Sequence, residues 1–220
     1  MSMKMIAHRG HHNERIPENT MQAFSKALEL GADGIETDLR LSLDEKIILF
    51  HDAKIEDKEG KKRAVEALTY RELKEIKADI PTLEELLEVA DTKVTLILEI
   101  KYDKKTYKRL CELVIRQIKD MLEWVEISCF DDRVLTYIYE LNPAIRLHKL
   151  IDKKAILLDE NMEDKYAFVS YFDIDVKLYN LVFEKGLLAK HKIIFWTVKN
   201  EVLTKETEAE LYGVMKDEVR

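Results

Sequence analysis

Two carboxylate side chains stand two residues apart within an apolar stretch of the chain. Residues 34–41 read GIETDLRL, and this alternation predicts a β-strand with Glu36 and Asp38 on the same face. Their Cα atoms would lie roughly 6.6 Å apart. In a parallel α/β sheet both faces are covered, so two unpaired carboxylates would be costly to bury. A bound cation would resolve this conflict, and a solvent-exposed strand end or pairing with Arg or Lys is the alternative.

Two imidazoles follow apolar runs in the same part of the chain. His8 comes directly after a predicted first strand, and His51 comes after the run 46–50. Only four residues separate the strand 34–41 from that run, whereas a parallel crossover needs about a dozen. Segment 46–50 must therefore run back antiparallel beside the strand 34–41. This course returns His51 to the edge of the sheet where His8 lies. Two imidazoles at one mouth can serve as a general acid and base, since an imidazole ordinarily titrates at about pH 6.5.

The other histidines carry weaker signals. His11 and His12 follow His8 closely, but no paired His or Cys lies nearby at metal-ligand spacing, so we interpret both as loop residues rather than zinc ligands. His148 and His191 stand alone and are predicted to be structural or exposed. The chain has neither a G-x-S-x-G nucleophile elbow nor a Gly-rich dinucleotide loop. The sequence therefore does not favour a serine hydrolase or a dinucleotide-binding enzyme.

Four short motifs lie close together near the start of the chain. They are, in order, His8-Arg9-Gly10, Pro17-Glu18-Asn19-Thr20, Gly34-Ile35-Glu36-Thr37-Asp38 and His51-Asp52. With these motifs in this order and spacing, the chain resembles the glycerophosphodiester phosphodiesterase family. Further matches extend the resemblance over most of the chain, and they thin out after Trp196. The resemblance implies an α/β fold, a (β/α)8 TIM barrel with an antiparallel arm and a short insertion between strand 2 and helix 2.

The resemblance also implies a third metal ligand. Family members carry a Glu-x-Lys at the end of the third strand, and this chain has Glu99 and Lys101 there. Together with Glu36 and Asp38, Glu99 would complete a set of oxygen ligands, which suits a divalent cation such as Mg²⁺ or Ca²⁺.

Three more residues are candidates for substrate binding. Arg9 offers a planar fork to a phosphate group, and Lys101 offers a mobile point charge. In related enzymes a Trp at the position of Trp196 packs against the glycerol part of the substrate. We therefore expect all three side chains at the mouth of the barrel.

The implied activity is metal-dependent hydrolysis of a glycerophosphodiester to glycerol 3-phosphate and an alcohol, which would make the chain a phosphoric diester hydrolase. The cation and Arg9 would stabilise charge on the phosphoryl oxygens, while His8 and His51 would transfer protons. Two alternatives remain open. One is a lysophospholipase D-like barrel that acts on a lipid phosphodiester, and the other is an inactive barrel that binds a phosphodiester.

Three positions depart from the family pattern. The family motif reads Trp-Thr-Val-Asn, and here Lys199 is inserted before the asparagine. Cys129 replaces the Ser that the family has before Phe. Lys216 replaces the Thr that the family has before Asp. We expect these residues at the rim and on the glycerol side of the site. They would then affect substrate preference more than the class of reaction.

Length and composition limit the remaining choices. The 220 residues fit one lean barrel domain over 1–220 with an insertion at 52–80. The net charge of −7 provides no electrostatic footprint for nucleic acid or for an anionic membrane. No stretch approaches the roughly 20 apolar residues that a membrane span needs, so we expect no stable membrane insertion. Two cysteines outside any C-x-x-C pattern and a very short apolar N-terminal run favour a reduced, cytoplasmic chain. The expected partner is a small-molecule phosphodiester, and the sequence does not indicate an oligomeric state.

The remainder of the chain alternates predicted helices and strands. After 34–41, strands are expected at 94–100, 125–129, 145–151, 168–174, 193–198 and 211–215, and helices mainly at 104–121, 131–141, 153–158, 177–190 and 201–210. Asn19 is predicted to cap the first helix with Gln22, and Thr82 to cap a later helix with Glu85. Residues 53–80 are crowded with charge, and we interpret them as a solvated loop followed by a short helix. Its segment 55–63 should be mobile and contribute little to stability.

Overall fold

A closed parallel barrel forms the body of the molecule. The computed structural model describes residues 3–90, 92–199 and 210–219. The strands are β1 Lys4–Ala7, β2 Gly34–Leu41, β3 Ile47–Leu49, β4 Lys54–Glu56, β5 Lys62–Ala64, β6 Thr95–Ile100, β7 Val125–Cys129, β8 Leu147–Ile151, β9 Tyr171–Asp175, β10 Ile193–Trp196 and β11 Gly213–Lys216. The helices are α1 Met21–Glu29, α2 Tyr70–Ile76, α3 Leu83–Ala90, α4 Tyr107–Ile118, α5 Asp132–Leu141, α6 Lys154–Leu157, α7 Met162–Lys165 and α8 Tyr179–Glu184, with 3₁₀ turns at Val65–Ala67, Val176–Leu178 and Leu187–Ala189.

Strand pairing closes the barrel. β1 pairs in parallel with both β2 and β11, and β6 to β11 complete a ring of eight parallel strands. Each strand alternates between the barrel interior and the helical layer, because successive side chains point to opposite faces. Ile6, Ile97, Ile194 and Met215 pack together inside the barrel. The predicted (β/α)8 fold is confirmed, and its carboxyl-terminal strand ends form one common mouth.

The predicted antiparallel arm is also confirmed. β3 pairs antiparallel with the end of β2, in a register that places Leu39 opposite Leu49. The N–H of Phe50 donates to the carbonyl of Asp38 at 2.9 Å, so the chain is held against β2 up to the residue before His51. The short connection after β2 therefore has the structural consequence expected of it.

The insertion is more ordered than the sequence predicted. In place of a solvated loop, β4 and β5 form an antiparallel hairpin, followed by a 3₁₀ turn and α2. A small cluster of buried apolar side chains anchors the segment against the arm: Ile48, Ile55, Val65, Leu68, Leu73 and Ile80. The prediction of a loop over 55–63 was wrong because a single apolar residue, Ile55, is enough to fix one strand of a two-stranded hairpin onto this cluster.

Several element boundaries also differ from the prediction. Thr20, not Asn19, caps α1, and its hydroxyl accepts from the N–H of Ala23 at 3.2 Å. The predicted helix 177–190 is broken into two 3₁₀ turns with α8 between them. Gly186, which lies between α8 and the second 3₁₀ turn, has a φ of 62°. The Thr82–Glu85 capping box is present. The predicted helix 201–210 lies almost wholly outside the described residues.

The helices of the described part of the chain are all too short or too polar to cross a lipid bilayer.

Candidate active site

A cavity of about 230 Å³ opens at the carboxyl ends of the barrel strands. Its wall has a polar side and an apolar side. The polar side is formed by His8, Arg9, Glu36, His51, Glu99 and Lys101, and the apolar side by Phe130, Leu150, Trp196 and Met215. The structure thus brings seven of the eight predicted site residues to the cavity wall. The eighth, Asp38, lies behind it, fully buried between Arg9 and Lys101.

Three carboxylates converge at the polar end of this cavity. Parallel pairing of β2 with β6 sets Asp38 beside Glu99, and Glu36 lies one inward position earlier on β2. Oxygen atoms of the three groups lie within 4.8 Å of one another. All three residues are buried, with exposures of 4% for Glu36, 0% for Asp38 and 7% for Glu99. The solvent-exposed strand end that the sequence left open is therefore excluded.

Two cations lie against the carboxylates. The Nζ of Lys101 is 2.7 Å from Asp38 Oδ1 and 2.6 Å from Glu99 Oε1. The Nε of Arg9 is 3.3 Å from Asp38 Oδ2, and its guanidinium also contacts the half-exposed Glu18 at 2.8 Å. The backbone N–H of Arg9 donates to Glu36 at 3.0 Å. Pairing with Arg and Lys, the second alternative for the carboxylates, is thus realised, but two cations face three buried carboxylates.

The incomplete pairing is reflected in the protonation of the carboxyl groups. Burial raises the pKa of Glu36 well above its ordinary value, and the charges of Asp38 and Glu99 add to this effect. Burial likewise raises the pKa of Glu99 to about 7, against the opposing effect of Lys101. For Asp38 the effect of burial is overcome by Lys101 and Arg9, which lower its pKa to about 2. The site therefore contains negative charge that its own cations do not fully stabilise.

The donor set fits a hard divalent cation. All the candidate ligand atoms are carboxylate oxygens, which Mg²⁺ and Ca²⁺ prefer. Asp38 Oδ1 is buried and has no aligned hydrogen-bond donor, although the ammonium of Lys101 is close to it. An added positive charge would satisfy this atom and remove the cost of three adjacent carboxylates. The structure thus has an acidic cluster that could hold a metal ion.

His8 lies beside the carboxylates and has a partner of its own. Its Nε2 faces Glu36 Oε2 at 4.0 Å, while its Nδ1 is 2.8 Å from Asp217 Oδ1. Burial lowers the pKa of His8, and the hydrogen bond to Asp217 opposes this shift. This differs from the ordinary value that the sequence led us to expect. The pKa of Asp217 is strongly lowered, because the nearby imidazoles of His12 and His8 outweigh its burial.

His51 also has a carboxylate partner, but this pair is more exposed to solvent. The Nδ1 of His51 is 2.8 Å from Asp52 Oδ1, and the side chains of His51 and Asp52 are 38% and 70% exposed. The backbone carbonyl of His51 accepts two hydrogen bonds from Arg40, at 3.0 and 2.9 Å. Arg40 is in turn paired with Glu66 of the insertion at 2.9 Å. The arm and the insertion together therefore fix the backbone of His51 at the mouth.

Besides Arg40, sequence reasoning missed two residues that position the site. Asn19 donates to Asp38 Oδ2 at 2.7 Å and accepts from the hydroxyl of Thr37 at 2.7 Å. Asp217 orients His8, as described above. Asn19 had a signal in its motif, but we interpreted it as a helix cap. Asp217 follows the last strand directly, so it could have been recognised as a residue at the mouth.

Two other sequence-based interpretations can be compared with the structure. Of the two alternatives for His148, the structural one is realised: it is fully buried inside the barrel, 2.8 Å from Glu126 and 3.0 Å from Asp173. The two carboxylates overcome its burial and raise its pKa to about 9. Cys129 is not at the rim, because it faces away from the cavity and its Sγ contacts the carbonyl of Ile100 at 3.1 Å. The exchange of Ser for Cys at this position is thus not a contact with the cavity.

Comparison with known proteins places the chain in a family. The family model described as glycerophosphoryl diester phosphodiesterase matches residues 8–219. The chain belongs to this family. It is 30% identical over 236 aligned residues to a glycerophosphodiester phosphodiesterase of Caldanaerobacter subterraneus, with 99% of this chain and 95% of the relative covered. Family membership makes it an enzyme of the phosphoric diester hydrolase class.

Solved structures support the same assignment. The crystal structure of a glycerophosphodiester phosphodiesterase from Thermotoga maritima matches with a TM-score of 0.84 and 26% identity, covering 99% of this chain and 96% of that one. A phosphodiesterase from Oleispira antarctica, solved with the product sn-glycerol-3-phosphate, has the same fold, with a TM-score of 0.81 and 22% identity over 98% of this chain and 93% of that one.

Proposed function

We propose that this chain hydrolyses glycerophosphodiesters to glycerol 3-phosphate and an alcohol in a reaction that depends on Mg²⁺ or Ca²⁺. The observation that carries the proposal is one cavity that combines three buried carboxylates, two cations and two carboxylate-linked imidazoles. Glu36, Asp38 and Glu99 would hold the cation. When bound, the cation would supply positive charge to the phosphoryl oxygens as their charge increases in the transition state.

The side chains around the cluster divide the remaining tasks. Arg9 and Lys101 would bind the phosphate oxygens, Arg9 through its planar fork and Lys101 as a mobile charge. Trp196 lies on the apolar side of the cavity. Its ring is edge-on to the ring of Phe130, with the two ring centroids 5.6 Å apart, and its indole N–H donates to the carbonyl of Asp173 at 3.0 Å. The ring is therefore fixed at both ends and offers a flat surface to the carbon skeleton of the glycerol part.

The two imidazoles would move the protons. Burial favours neutral His8, because it lowers the pKa of that ring. A neutral imidazole with its Nδ1 side held by Asp217 presents Nε2 towards the carboxylate cluster, as a proton acceptor should. His8 would accordingly accept the proton of the attacking hydroxyl or water. His51, which follows the arm strand β3 at the same cavity and is more open to solvent, would donate a proton to the leaving alcohol oxygen.

The central experiment measures release of glycerol 3-phosphate. Glycerophosphocholine and glycerophosphoethanolamine should both be hydrolysed, EDTA should abolish the activity, and Mg²⁺ or Ca²⁺ should restore it. Glu36→Gln should remove metal-dependent activity without unfolding the barrel. Full activity of thoroughly chelated protein would refute the metal requirement, and absence of any glycerol 3-phosphate would refute the assigned reaction.

A lipid substrate is the second candidate. A lysophospholipase D of Rattus norvegicus is 36% identical to this chain over 98 residues, which cover 43% of this chain and 31% of the relative. The apolar wall of the cavity could contact an acyl-linked glycerol. The nearby insertion argues against this substrate, because its hairpin presents Lys and Glu side chains to solvent rather than an apolar rim. Cleavage of lysophosphatidylcholine in preference to glycerophosphocholine would decide for the lipid.

A further inference from the structure

A second group of potential metal ligands lies directly behind the catalytic candidate His8. It consists of His8, His12 and Asp217, whose ligand atoms all lie within 4.8 Å of one another. The three residues come from the two ends of the chain, which meet because β1 pairs with β11. The group shares His8 with the cavity but uses the other side of its ring, since Nδ1 faces Asp217 and Nε2 faces Glu36.

The backbone holds His12 in this position. Gly10 has a φ of 80° and packs so closely on Ala23 that an added Cβ would lie 2.8 Å from its atoms. The N–H of His11 donates to the carbonyl of Ala23 at 3.0 Å, and the N–H of His12 donates to the carbonyl of Asp217 at 2.9 Å. The turn after β1 is thereby fixed at both ends, and the ring of His12 stands beside the carboxylate of Asp217.

The hydrogen bonding of this group is incomplete. Asp217 Oδ1 lies 2.8 Å from His8 Nδ1 and 3.2 Å from His12 Nε2. His12 Nε2 is buried, yet its geometry towards Asp217 is not that of a hydrogen bond, and it has no other partner among the described residues. A buried ring nitrogen without a partner is costly, and a cation between the three groups would satisfy it.

The spacing suits a small tetrahedral ion. Zn²⁺ binds imidazole nitrogen and carboxylate oxygen at about 2.0–2.2 Å, so neighbouring ligand atoms lie about 3.4 Å apart. The observed 2.8 and 3.2 Å would need to open by about 0.6 and 0.2 Å. The donor set of two nitrogens and one oxygen also differs from the all-oxygen cluster on the other side of His8, and it selects Zn²⁺ over Mg²⁺ or Ca²⁺. Lys199, with its Nζ 3.8 Å from Asp217 Oδ2, is a charge that opposes a cation here.

We propose that His8, His12 and Asp217 form a Zn²⁺ site, separate from the carboxylate cluster, through which zinc inhibits the enzyme. Binding at Nδ1 leaves His8 with its only ring proton on Nε2, so that nitrogen can no longer accept a proton. The inhibitory part of the proposal rests on the proposed function, in which His8 is the proton acceptor. The binding part rests on the geometry alone.

The binding test is a calorimetric titration of ZnCl₂ into the full chain with Mg²⁺ kept saturating. We expect one zinc site, weakened at least tenfold or so in His12→Gln, since loss of a direct ligand should cost no less than the 10–100-fold typical of outer-shell partners. His191→Gln, a change of another histidine outside the cluster, and Glu36→Gln should both retain the site. Equal affinity in wild type and His12→Gln would overturn the proposal, and so would loss of the site in Glu36→Gln.

The activity test uses the same variants. Zinc should inhibit the Mg²⁺-supported release of glycerol 3-phosphate in the wild type, and His12→Gln should keep its basal rate while resisting zinc at least tenfold. Inhibition that is equal in both proteins would overturn the regulatory role. If no phosphodiesterase activity is found but zinc binding depends on His12, the proposed function fails and the zinc site stands.

Discussion

The hydrogen bond between Asp217 and His8 offers the sharpest test of the proposed mechanism. In Asp217→Asn, the 2.8 Å contact to His8 Nδ1 loses its charge. A hydrogen bond to a charged group contributes about 1.5–3 kcal/mol, and one pKa unit corresponds to about 1.4 kcal/mol, so the pKa of His8 should fall by about 1 to 2 units. The direction follows from the structure, because burial already lowers this pKa and Asp217 is the main group that opposes the shift.

The assay is the pH dependence of kcat for glycerol 3-phosphate release. The limb that reports His8 should move to lower pH by about 1 to 2 units, and the plateau should fall because the ring loses the partner that sets its tautomer. Asp52→Asn is the matched comparison at His51. That pair is largely exposed, so its removal should change kcat less than Asp217→Asn does.

A control separates the two contacts of Asp217. His12→Gln removes the second imidazole but leaves the His8–Asp217 bond in place, so its profile should match the wild type in the absence of zinc. A profile of Asp217→Asn that superimposes on the wild type, or that moves to higher pH, would show that Asp217 does not support the charge on His8. The role of His8 in the proposed mechanism would then have to be abandoned.

Three other predictions follow from the same geometry. In EDTA, the protein should lose stability as the pH rises from about 4.5 to about 7, because the buried carboxyl groups of Glu36 and Glu99 have raised pKa values and bind protons more readily in the folded than in the unfolded state. Thermal melts of Glu99→Gln should show a smaller slope than the wild type, and an unchanged slope would exclude Glu99 as a source of it. His8→Ala and His51→Ala should each lower kcat by about 10²–10⁴-fold. The double variant should lose far less than the product of the two single losses, because paired catalytic groups act as a unit. If steady-state kinetics show either single variant near the wild-type rate, that histidine is excluded from the mechanism. Ile55→Ala should lower the free energy of unfolding by about 2–4 kcal/mol, since it leaves a cavity in the cluster under the hairpin. Replacing the charged tip 57–60 by a shorter turn should change the free energy of unfolding by less than about 0.5 kcal/mol. Urea denaturation of the two variants measures both values.

Local sequence patterns together with the family resemblance were sufficient for the barrel, and local patterns alone were sufficient for the arm. Strands 34–41 and 125–129 begin and end where the alternating and aliphatic patterns predict, because every residue of both strands is buried. The antiparallel course of the arm followed from chain length alone. Elements near the carboxyl-terminal part were harder to place, since their helices are only one or two turns long and carry no caps of the usual kind.

The insertion shows where composition misleads. Residues 53–80 carry so many charges that they resemble a solvated loop, but the charges lie on the outer face of a hairpin whose inner face needs only Ile55. A two-stranded hairpin is marginal alone, and here the buried cluster of the arm and α2 stabilises it. This support comes from tertiary contacts, which a reading of charge along the chain does not contain.

The candidate site divides in the same way between local and distant signals. The carboxylates of β2 and the imidazoles could be predicted because strand alternation and a short connection place them. The partner of His8 could not be found by spacing, because Asp217 lies 209 residues away in the chain. Closure of the barrel supplies the missing information: when eight parallel strands are counted, the last must pair with the first, so the residue after β11 must lie beside the residue after β1. An acidic residue at the end of the last strand of such a barrel is therefore a candidate partner for a histidine at the end of the first, and here the same closure also brings His12 to that carboxylate.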